Sequence, residues 1–358
     1  MSERTTSPLV RASAIVPAEY GRHVRDFLHQ DLTEHELEAE DMGDGRLIIR
    51  HEGCLIELDL SPLDELRIRL TAPSDNGLFF LKEAAAKHAL EAAPSLTESF
   101  VWSDADTAGM LPTNFRELRL LRRQEVMAGL IRLTFAAKDL DLLSDDGLHV
   151  KFLLPPKQDR APCWPKTRAN GLPVWPEGED ALAIRYYTIR NLRRSQGEID
   201  IDVVIHPGGR VSDWAMRADP GDLAGMLGPG GGGIPGDASH LLIAGDMTAM
   251  PAIARILETI GSDRDGTALL QLPEGADPSD YLAPGRFDVE TVASAAGPTG
   301  LIDRLTQKLR RGDVDQAWYG GEKQIAQDAR RLFKASGLKG SRQLSVAYWQ
   351  NGRPLDAR

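Results

Sequence analysis

The stretch that most constrains the fold is an apolar run that ends in Gly-Asp and leads directly into a helix. Residues 240–246 read as a buried strand, and a helix pattern opens at Met250-Pro251-Ala252-Ile253. Three further strand patterns follow, separated by helical ones, at 269–272, 317–321 and 345–349. Strands that alternate with helices predict a parallel sheet, so we expect an α/β domain over residues 238–352.

The two sections before this domain have different patterns. Residues 113–235 hold short apolar runs separated by turns, which is typical of an antiparallel β-barrel. Residues 1–102 mix strand and helix patterns and predict a small α+β domain of unknown role, followed by a polar linker at 103–109. The sequence therefore predicts a multi-domain chain.

Composition excludes several classes of protein. The net charge of −11 over 358 residues argues against a nucleic-acid partner and against anionic membranes. No run approaches the roughly 20 apolar residues of a membrane span, and the first residues lack the apolar core of a secretion signal. Cys54 and Cys163 are too few for a disulfide framework. We expect a cytoplasmic protein that is a monomer or a weak oligomer.

One barrel strand carries the side chains that a flavin needs. Residues 185–190 read Arg-Tyr-Tyr-Thr-Ile-Arg, so Arg185, Tyr187 and Ile189 share one face of the strand and Thr188 lies on the other. A flavin nucleotide requires a flat aromatic ring, a hydroxyl group for its ring atoms and a cation for its pyrophosphate. An ordinary barrel strand with outward polar residues is the alternative for so short a motif.

A phosphate contact is indicated farther along the barrel. The strand over 200–205 runs into His206-Pro207-Gly208-Gly209, and Ser212 is predicted to cap the helix that follows. The glycine-rich run at 228–233 lacks the Lys-Ser/Thr of a P-loop and reads as a flexible exit loop. The strand over 240–246 is not followed by G-x-G-x-x-G, so the usual fingerprint of dinucleotide-binding domains is absent there.

The histidines do not predict a metal site. Five of the eight lie in the first section, and His23, His29 and His35 are spaced by six, which places successive side chains on opposite faces of a helix. No pair of cysteines accompanies them. We expect no bound metal ion and no Ser-His-Asp arrangement.

The order of the motifs resembles that of the siderophore-interacting protein family, which comprises FAD-dependent ferric-siderophore reductases of the ferredoxin-reductase superfamily. The resemblance covers about residues 115–352. It is carried by short motifs in the family's order: 149–151, 174–178, 185–188, 202–206, 212–215, 220–222, 245–253, 321–322 and 347–349. The first section separately resembles a small uncharacterised α/β domain that is often fused to this family or found near it.

The resemblance implies two groups of cofactor-binding residues. Those that would hold FAD are Arg185, Tyr187 and Thr188 on one strand, Asp202, Val204 and His206 along the flavin and its ribityl chain, and Val211 and Ser212 at the pyrophosphate. Those that would receive NADH or NADPH are Gly245, Asp246 and Thr248, with Gly321 and Glu322 opposite them. Thr188 is the residue expected to tune the flavin ring by hydrogen bonding.

The sequence departs from the family pattern at three positions. Met247 stands where the family commonly has Glu, which leaves the preference between NADH and NADPH open. Of the family's basic positions for the anionic iron chelate, Lys151 is present, whereas Gly230 and Leu344 carry no charge. Lys157 and Arg342 are the neighbouring cations that we expect to compensate.

The resemblance implies a ferric-siderophore reductase. Hydride would pass from NAD(P)H to the flavin, and single electrons would then reduce chelated Fe(III) to Fe(II), so the cofactor supplies the chemistry and no catalytic acid or base is expected. Two alternatives remain open at this point. One is a flavin reductase of the same superfamily with another electron acceptor, and the other is a non-catalytic protein that binds an iron chelate.

Overall fold

The fold is described from a computed structural model. It describes residues 9–34, 39–51, 53–62, 65–97, 99–105, 108–143, 147–230, 238–261 and 263–352. Parts of several sequence predictions lie outside these residues. They are His35, turn residue Glu52, linker residues 106–107 and residues 231–233 of the glycine-rich run.

The chain divides into two compact units. The first comprises Met1–Phe115 and Pro162–Ala181, and the second comprises Arg116–Ala161 and Leu182–Arg358. The sequence assigned residues 162–181 to the barrel domain, whereas the structure groups them with the first unit. The three predicted domains thus form two units, and the second unit contains both the barrel and the parallel sheet.

The first unit is an antiparallel sheet with two helices. The sheet order is β1-β5-β4-β3-β2. Its elements are β1 (Val10–Pro17), α1 (Ala18–Glu34), β2 (Ala39–Asp41), β3 (Arg46–His51), β4 (Cys54–Asp59), β5 (Glu65–Ala72) and α2 (Asp75–Ala92). Ser74 caps α2 by accepting a hydrogen bond from the Gly77 amide. This is the small α+β domain that the sequence predicts.

The segment 162–181 is built into the core of the first unit. The Trp102 indole N–H donates to the Asn170 carbonyl over 2.9 Å, and the Trp102 amide donates to the Ala169 carbonyl over 3.1 Å. Trp102 is 1% exposed and lies edge-on to Phe100, while Leu172 packs against the same core. The segment is therefore an integral part of this unit.

The second unit opens with a closed barrel of six antiparallel strands in the order β11-β12-β7-β6-β13-β8. The strands and their one helix are β6 (Phe115–Met127), β7 (Leu130–Ala136), β8 (His149–Leu154), β11 (Ala183–Arg193), β12 (Glu198–Val204), α3 (Arg210–Ala215) and β13 (Leu223–Gly230). Two short strands of the first unit, β9 (Lys166–Thr167) and β10 (Pro173–Val174), lie between β8 and β11 in the chain. Alternate residues of the barrel strands, among them Phe135, Phe152 and Ile201, fill its interior.

The rest of the second unit is a five-stranded parallel sheet in the order β16-β15-β14-β17-β18. Its elements are β14 (His240–Asp246), α4 (Met250–Ile260), β15 (Asp265–Leu272), β16 (Arg286–Ala293), α5 (Gly297–Leu309), β17 (Gln316–Glu322), α6 (Lys323–Ala335) and β18 (Gln343–Trp349). The strand order reverses between β14 and β17, so their carboxyl ends flank the crevice where open parallel sheets bind nucleotides. The predicted fold class is confirmed.

The helices are short. Among the described residues the longest helix is α2, which has 18 residues and includes the charged Lys82, Glu83 and Lys87. Within the described ranges, no helix is both long enough and apolar enough to cross a lipid bilayer.

Candidate cofactor site

Strand β11 carries the three side chains expected to hold FAD. Tyr187 and Ile189 pack against the barrel core, with the Tyr187 ring edge-on to Phe152 at 5.6 Å. Burial raises the pKa of the Tyr187 hydroxyl, which stays protonated. Arg185 is half-buried, and its guanidinium donates to the Ile184 carbonyl over 2.7 Å. The alternation that the sequence predicts thus places Tyr187 and Ile189 on the interior face.

Thr188 begins a chain of uncharged polar groups that joins the barrel to the parallel sheet. Its hydroxyl lies 3.3 Å from Nδ1 of His149 on β8, and Nε2 of His149 lies 3.0 Å from the Tyr348 hydroxyl on β18. The rings of His149 and Tyr348 meet edge-on, with centroids 4.9 Å apart. We call Thr188, His149 and Tyr348 the neutral chain.

Charged side chains make a second junction between the barrel and the parallel sheet. Arg132 on β7 holds both carboxylate oxygens of Asp202 on β12 over 2.8 Å, and the Tyr281 hydroxyl donates to the same carboxylate. Arg190 on β11 binds Glu258 on α4 through two nitrogens, at 2.8 and 2.6 Å. Both guanidinium groups lie over the Tyr281 ring, within 6 Å of its centroid. These five residues form the ionic cluster.

The ionic cluster gives Asp202 a structural role. The carboxylate has no exposed surface, and each of its oxygens already accepts a hydrogen bond from Arg132. The geometry therefore does not favour the direct contact with a flavin that the sequence predicts for this carboxylate. Val204, the next residue on the same face of β12, packs against the core of the parallel-sheet half.

The turn between β12 and α3 is closed by a serine side chain. Ser212 accepts a hydrogen bond from the His206 amide and donates one to the His206 carbonyl, both over 2.9 Å. The predicted cap is wrong, because α3 begins after Gly209 and Ser212 lies inside the helix. A Cβ on Gly209 would lie 2.4 Å from the His206 ring, so a side chain there would have to displace that exposed ring. Val211 is buried beside Ser212, which leaves main-chain N–H groups as the donors for a phosphate.

At the carboxyl end of β14, Asp246 organises the surrounding loops. One carboxylate oxygen accepts from the amide and hydroxyl of Thr248, at 2.8 and 2.5 Å. The other accepts from the Glu322 amide at 3.1 Å and from the Trp349 indole at 2.7 Å. Burial raises the pKa of Asp246, and these hydrogen bonds oppose that shift only in part. The carboxylate therefore holds together the ends of β14, β17 and β18.

Gly321 and Glu322 lie directly across from Asp246, as predicted. A Cβ on Gly321 would lie 2.6 Å from the Asp246 carboxylate, and the residue has a φ of +153°, so both space and conformation require glycine. The Glu322 carboxylate caps α6 by accepting from the amides of Gln324 and Ile325. It also accepts from the Asn351 amide over 3.3 Å.

Two family models match this chain. Residues 119–233 match the siderophore-interacting FAD-binding domain, and residues 238–352 match the siderophore-interacting protein model. A curated relative, the NADPH-dependent ferric-chelate reductase of Escherichia coli (strain K12), is 33% identical over 242 residues, which cover 66% of this chain and 92% of the relative. The chain belongs to the siderophore-interacting protein family. The resemblance predicted from the ordered motifs is confirmed.

Other members of the siderophore-interacting protein family give the same result. The ferric vibriobactin reductase ViuB of Vibrio cholerae serotype O1 is 28% identical over 256 residues, which cover 68% of this chain and 92% of ViuB. The crystal structure of the siderophore-interacting protein SipS from Aeromonas hydrophila superposes with a TM-score of 0.56 at 30% identity. That match covers 67% of this chain and 93% of SipS.

The side chains of this siderophore-interacting protein fit FAD. Strand β11 offers an aromatic ring, a hydroxyl group and a guanidinium within four residues, which are the donor types that a flavin and its pyrophosphate require. The turn before α3 offers main-chain N–H groups for a phosphate. The fit agrees with the FAD-binding domain that the family model assigns to this half of the unit.

Two of the three predicted substrate cations lie far from the neutral chain. Arg342 precedes β18, so the length of that strand, roughly 20 Å, separates it from Trp349 at the cofactor edge. Lys157 follows β8, whose length of roughly 17 Å separates it from His149. The structure thus places neither of them beside the neutral chain, because an intervening strand leads away from it. Lys151 lies on β8 itself and is 8% exposed.

Sequence reasoning missed His149 as a chemical group, together with Arg132, Arg190 and Tyr281. The sequence places His149 in a family motif with Val150 and Lys151 but gives no sign of its hydrogen-bond partners. Arg132 and Asp202 are cross-strand neighbours on β7 and β12, and that register becomes visible only when the barrel closes. Tyr281 comes from a loop whose position no sequence pattern fixes.

Proposed function

We propose that this protein is a ferric-siderophore reductase that uses FAD and either NADH or NADPH, and that it acts in the cytoplasm. The observation that carries the proposal is the neutral chain. It brings the strand expected to hold FAD, β11, to the sheet edge expected to receive the nicotinamide nucleotide. A reductase needs these two halves side by side, since hydride transfer requires the reacting atoms to lie within about 3.5 Å. Membership of a family with ferric-chelate and ferric vibriobactin reductases supports it.

On the barrel side, we assign FAD to Arg185, Tyr187 and Thr188, with Val204 and His206 beside them. The Arg185 guanidinium suits a phosphate because it offers several donors in one plane. Main-chain N–H groups at Val211 and Ser212 would serve the pyrophosphate, since the Ser212 hydroxyl is already committed to His206. When bound, FAD supplies the ability to accept a hydride and to release single electrons.

On the sheet side, we assign the nicotinamide nucleotide to Gly245, Asp246 and Thr248, with Gly321 and Glu322 opposite. Asp246 fixes the turn after β14 and the position of Trp349 at the same time. Gly321 allows Asp246 and the Tyr319 hydroxyl to approach the main chain closely, because any side chain there would collide with both. These residues orient the donor, and none of them needs to act as an acid or a base.

The substrate of the proposed reaction is a ferric siderophore. Reduction to Fe(II) weakens binding by hard oxygen ligands, so the iron is released after electron transfer. Lys151 is the one predicted substrate cation whose position on β8 is compatible with a role near the site. The protein's task is to exclude side reactions and to orient the donor, while the transfer of electrons needs no further residue.

The visible spectrum of the purified protein tests this proposal. We expect bound flavin, bleaching on anaerobic addition of NADH or NADPH, and recovery of the flavin bands when a ferric siderophore is added. A colourless protein that takes up no FAD would contradict the proposal and would favour a non-catalytic chelate-binding protein. The ratio of kcat/KM for NADH and NADPH identifies the preferred donor.

The positions of the cations favour one second candidate. Gly230 and Leu344 are uncharged, and Lys157 and Arg342 lie away from the site, so the cationic surface for an anionic chelate is sparse. A flavin reductase with another acceptor, such as a ferredoxin, a quinone or a dye, would not need that surface. Steady-state assays that compare these acceptors with ferric siderophores separate the two candidates.

A further inference from the structure

The Thr188 hydroxyl is tied into a hydrogen-bonded chain that none of the proposed roles explains. Nδ1 of His149 on β8 lies 3.3 Å from this hydroxyl, and Nε2 of the same ring lies 3.0 Å from the hydroxyl of Tyr348 on β18. The Tyr348 ring is packed in turn against Trp318, with centroids 6.3 Å apart. The imidazole therefore has a fixed place between two hydroxyl groups that belong to different halves of the unit.

The surroundings keep all three groups uncharged. Burial lowers the pKa of His149 to about 4, and the nearby Arg255 on α4 adds to this shift. Arg255 itself donates to the carbonyl of Gly147, just before β8, and to the carbonyl of Ile189 within β11. Burial raises the pKa of Tyr348 well above its usual value, with the charge of Asp246 as a further cause. At neutral pH the imidazole of His149 is therefore neutral and carries a hydrogen on only one of its two nitrogens.

One hydrogen on the ring gives it opposite characters toward its two neighbours. A neutral imidazole that donates from one nitrogen accepts at the other, so the bond with Tyr348 and the bond with Thr188 have linked directions. The orientation of the Thr188 hydroxyl consequently depends on His149 and on Tyr348, whose hydroxyl also hydrogen-bonds to Thr188 directly. A free threonine hydroxyl would rotate among three staggered positions instead.

We propose that His149 is a positioning residue: held at Nε2 by Tyr348, it fixes the orientation in which the Thr188 hydroxyl meets the flavin ring of bound FAD. This inference rests on the proposed function. It assigns the role to the imidazole rather than to any charge, and Thr188 remains the group that contacts the cofactor.

Two conservative variants distinguish the roles of the two ring nitrogens of His149. In His149→Asn the amide occupies the place of Nδ1 and can still reach Thr188, whereas in His149→Gln it occupies the place of Nε2 and reaches Tyr348. We expect His149→Gln to shift the midpoint potential of bound FAD in the same direction as Thr188→Val. We expect His149→Asn to retain most of the wild-type value.

The expected size of the shift in midpoint potential follows from the loss of one neutral hydrogen bond. Its loss changes the relative affinity for oxidised and reduced FAD by roughly three- to tenfold. A tenfold change corresponds to about 30 mV for a two-electron couple. Tyr348→Phe removes the partner of Nε2 together with the direct hydrogen bond between Tyr348 and Thr188, and should give a shift of the same sign. His240→Gln is the matched control. His240 pairs with Asp265 at the amino ends of β14 and β15, away from the carboxyl ends that face the site, so we expect no shift.

The double variant Thr188→Val/His149→Gln decides whether His149 acts through Thr188. If it does, the potential of the double variant equals that of Thr188→Val alone. Additive shifts, or a wild-type potential in His149→Gln with FAD bound, would overturn the inference while the proposed function stands. Failure of the wild-type protein to bind FAD would overturn both.

Discussion

Thr188 and Arg190 lie two residues apart on β11 and both reach from the barrel to the parallel-sheet half, yet they do so with opposite chemistry. Arg190 enters the ionic cluster, where it pairs with Glu258 while Arg132 pairs with Asp202, and the Tyr281 hydroxyl donates to the Asp202 carboxylate. Thr188 enters the neutral chain, in which His149 and Tyr348 carry no charge at neutral pH. Two different kinds of contact therefore join the same two halves of the unit.

The difference teaches how this unit separates stability from chemistry. Paired charges hold their geometry firmly, because removing one partner leaves the other buried without compensation. Neutral hydroxyl and imidazole groups cost less to leave without a partner and can change donor for acceptor. We therefore expect the ionic cluster to govern folding and the neutral chain to govern the cofactor.

The largest effect is expected from the ionic cluster. Asp202→Ala should lower the free energy of unfolding by about 3 kcal/mol, because Arg132 and the Tyr281 hydroxyl lose their common partner in a buried place. Urea denaturation followed by circular dichroism measures this. The matched control is Asp288→Ala on the exposed side of β16, for which we expect about 0.5 kcal/mol or less. A loss below about 1 kcal/mol for Asp202→Ala would show that the cluster does not brace the unit.

The neutral chain should show itself in the dependence of stability on pH. The pKa of His149 is about 4 in the folded protein against a usual 6.5, so the unfolded chain binds the proton more tightly. Stability is therefore complete above pH 6.5 and falls as the pH drops toward 4, by about 1–2 kcal/mol between pH 7 and pH 5.

Unfolding curves of the wild type and of His149→Gln at pH 7 and pH 5 check this, since the variant should lose that part of the pH dependence. Asp200 does not interfere in this window. Hydrogen bonds from Arg193, Asn191 and Thr134 outweigh the effect of burial and lower its pKa to about 2. Equal slopes for wild type and variant would mean that the pKa of His149 is the same in the folded and the unfolded chain.

A smaller effect is expected on the other face of β11. Tyr187→Ala should weaken the binding of FAD roughly three- to tenfold, because an aromatic contact is lost. Fluorescence titration of the apoprotein with FAD measures the dissociation constant. The neighbouring Tyr186 points away from the barrel core and is 46% exposed, so Tyr186→Ala is the control. Equal dissociation constants for the Tyr187 variant and the wild type would show that another ring contacts the flavin.

The smallest effect is expected from the remote cations. Lys157→Ala/Arg342→Ala should change KM for a ferric siderophore by less than about twofold, since exposed charges that lie a strand length away are screened by solvent. Initial rates over a range of chelate concentrations test this. A tenfold rise in KM would show that Lys157 and Arg342 contribute to binding of the chelate.

Much of the fold could be predicted from the sequence, because its signals are local. The alternation in β11 and the apolar run that ends at Asp246 both depend on neighbouring residues, and both elements are present. The motifs on the two strands proposed to bind the cofactors are likewise short and continuous.

The rest depends on contacts between distant segments. The pairing of Arg132 with Asp202 requires the register of β7 and β12, and Tyr281 reaches the pair from a loop of the other half. The serine at 212 predicts a helix cap, but α3 starts after Gly209, and Ser212 instead binds the main chain of His206 from within the helix. Arg342 is close to Trp349 in the sequence, but an extended strand separates them in space.

The yield of ferrous iron in a single anaerobic turnover tests the central claim most directly. The FAD-loaded protein is reduced with one equivalent of NADH or NADPH and then mixed with a ferric siderophore and a ferrous-specific dye. The account predicts about two ferrous ions per bound FAD, because the cofactor takes up two electrons and iron accepts one at a time. A reduced flavin that persists in the presence of the chelate, with no ferrous iron formed, would contradict it.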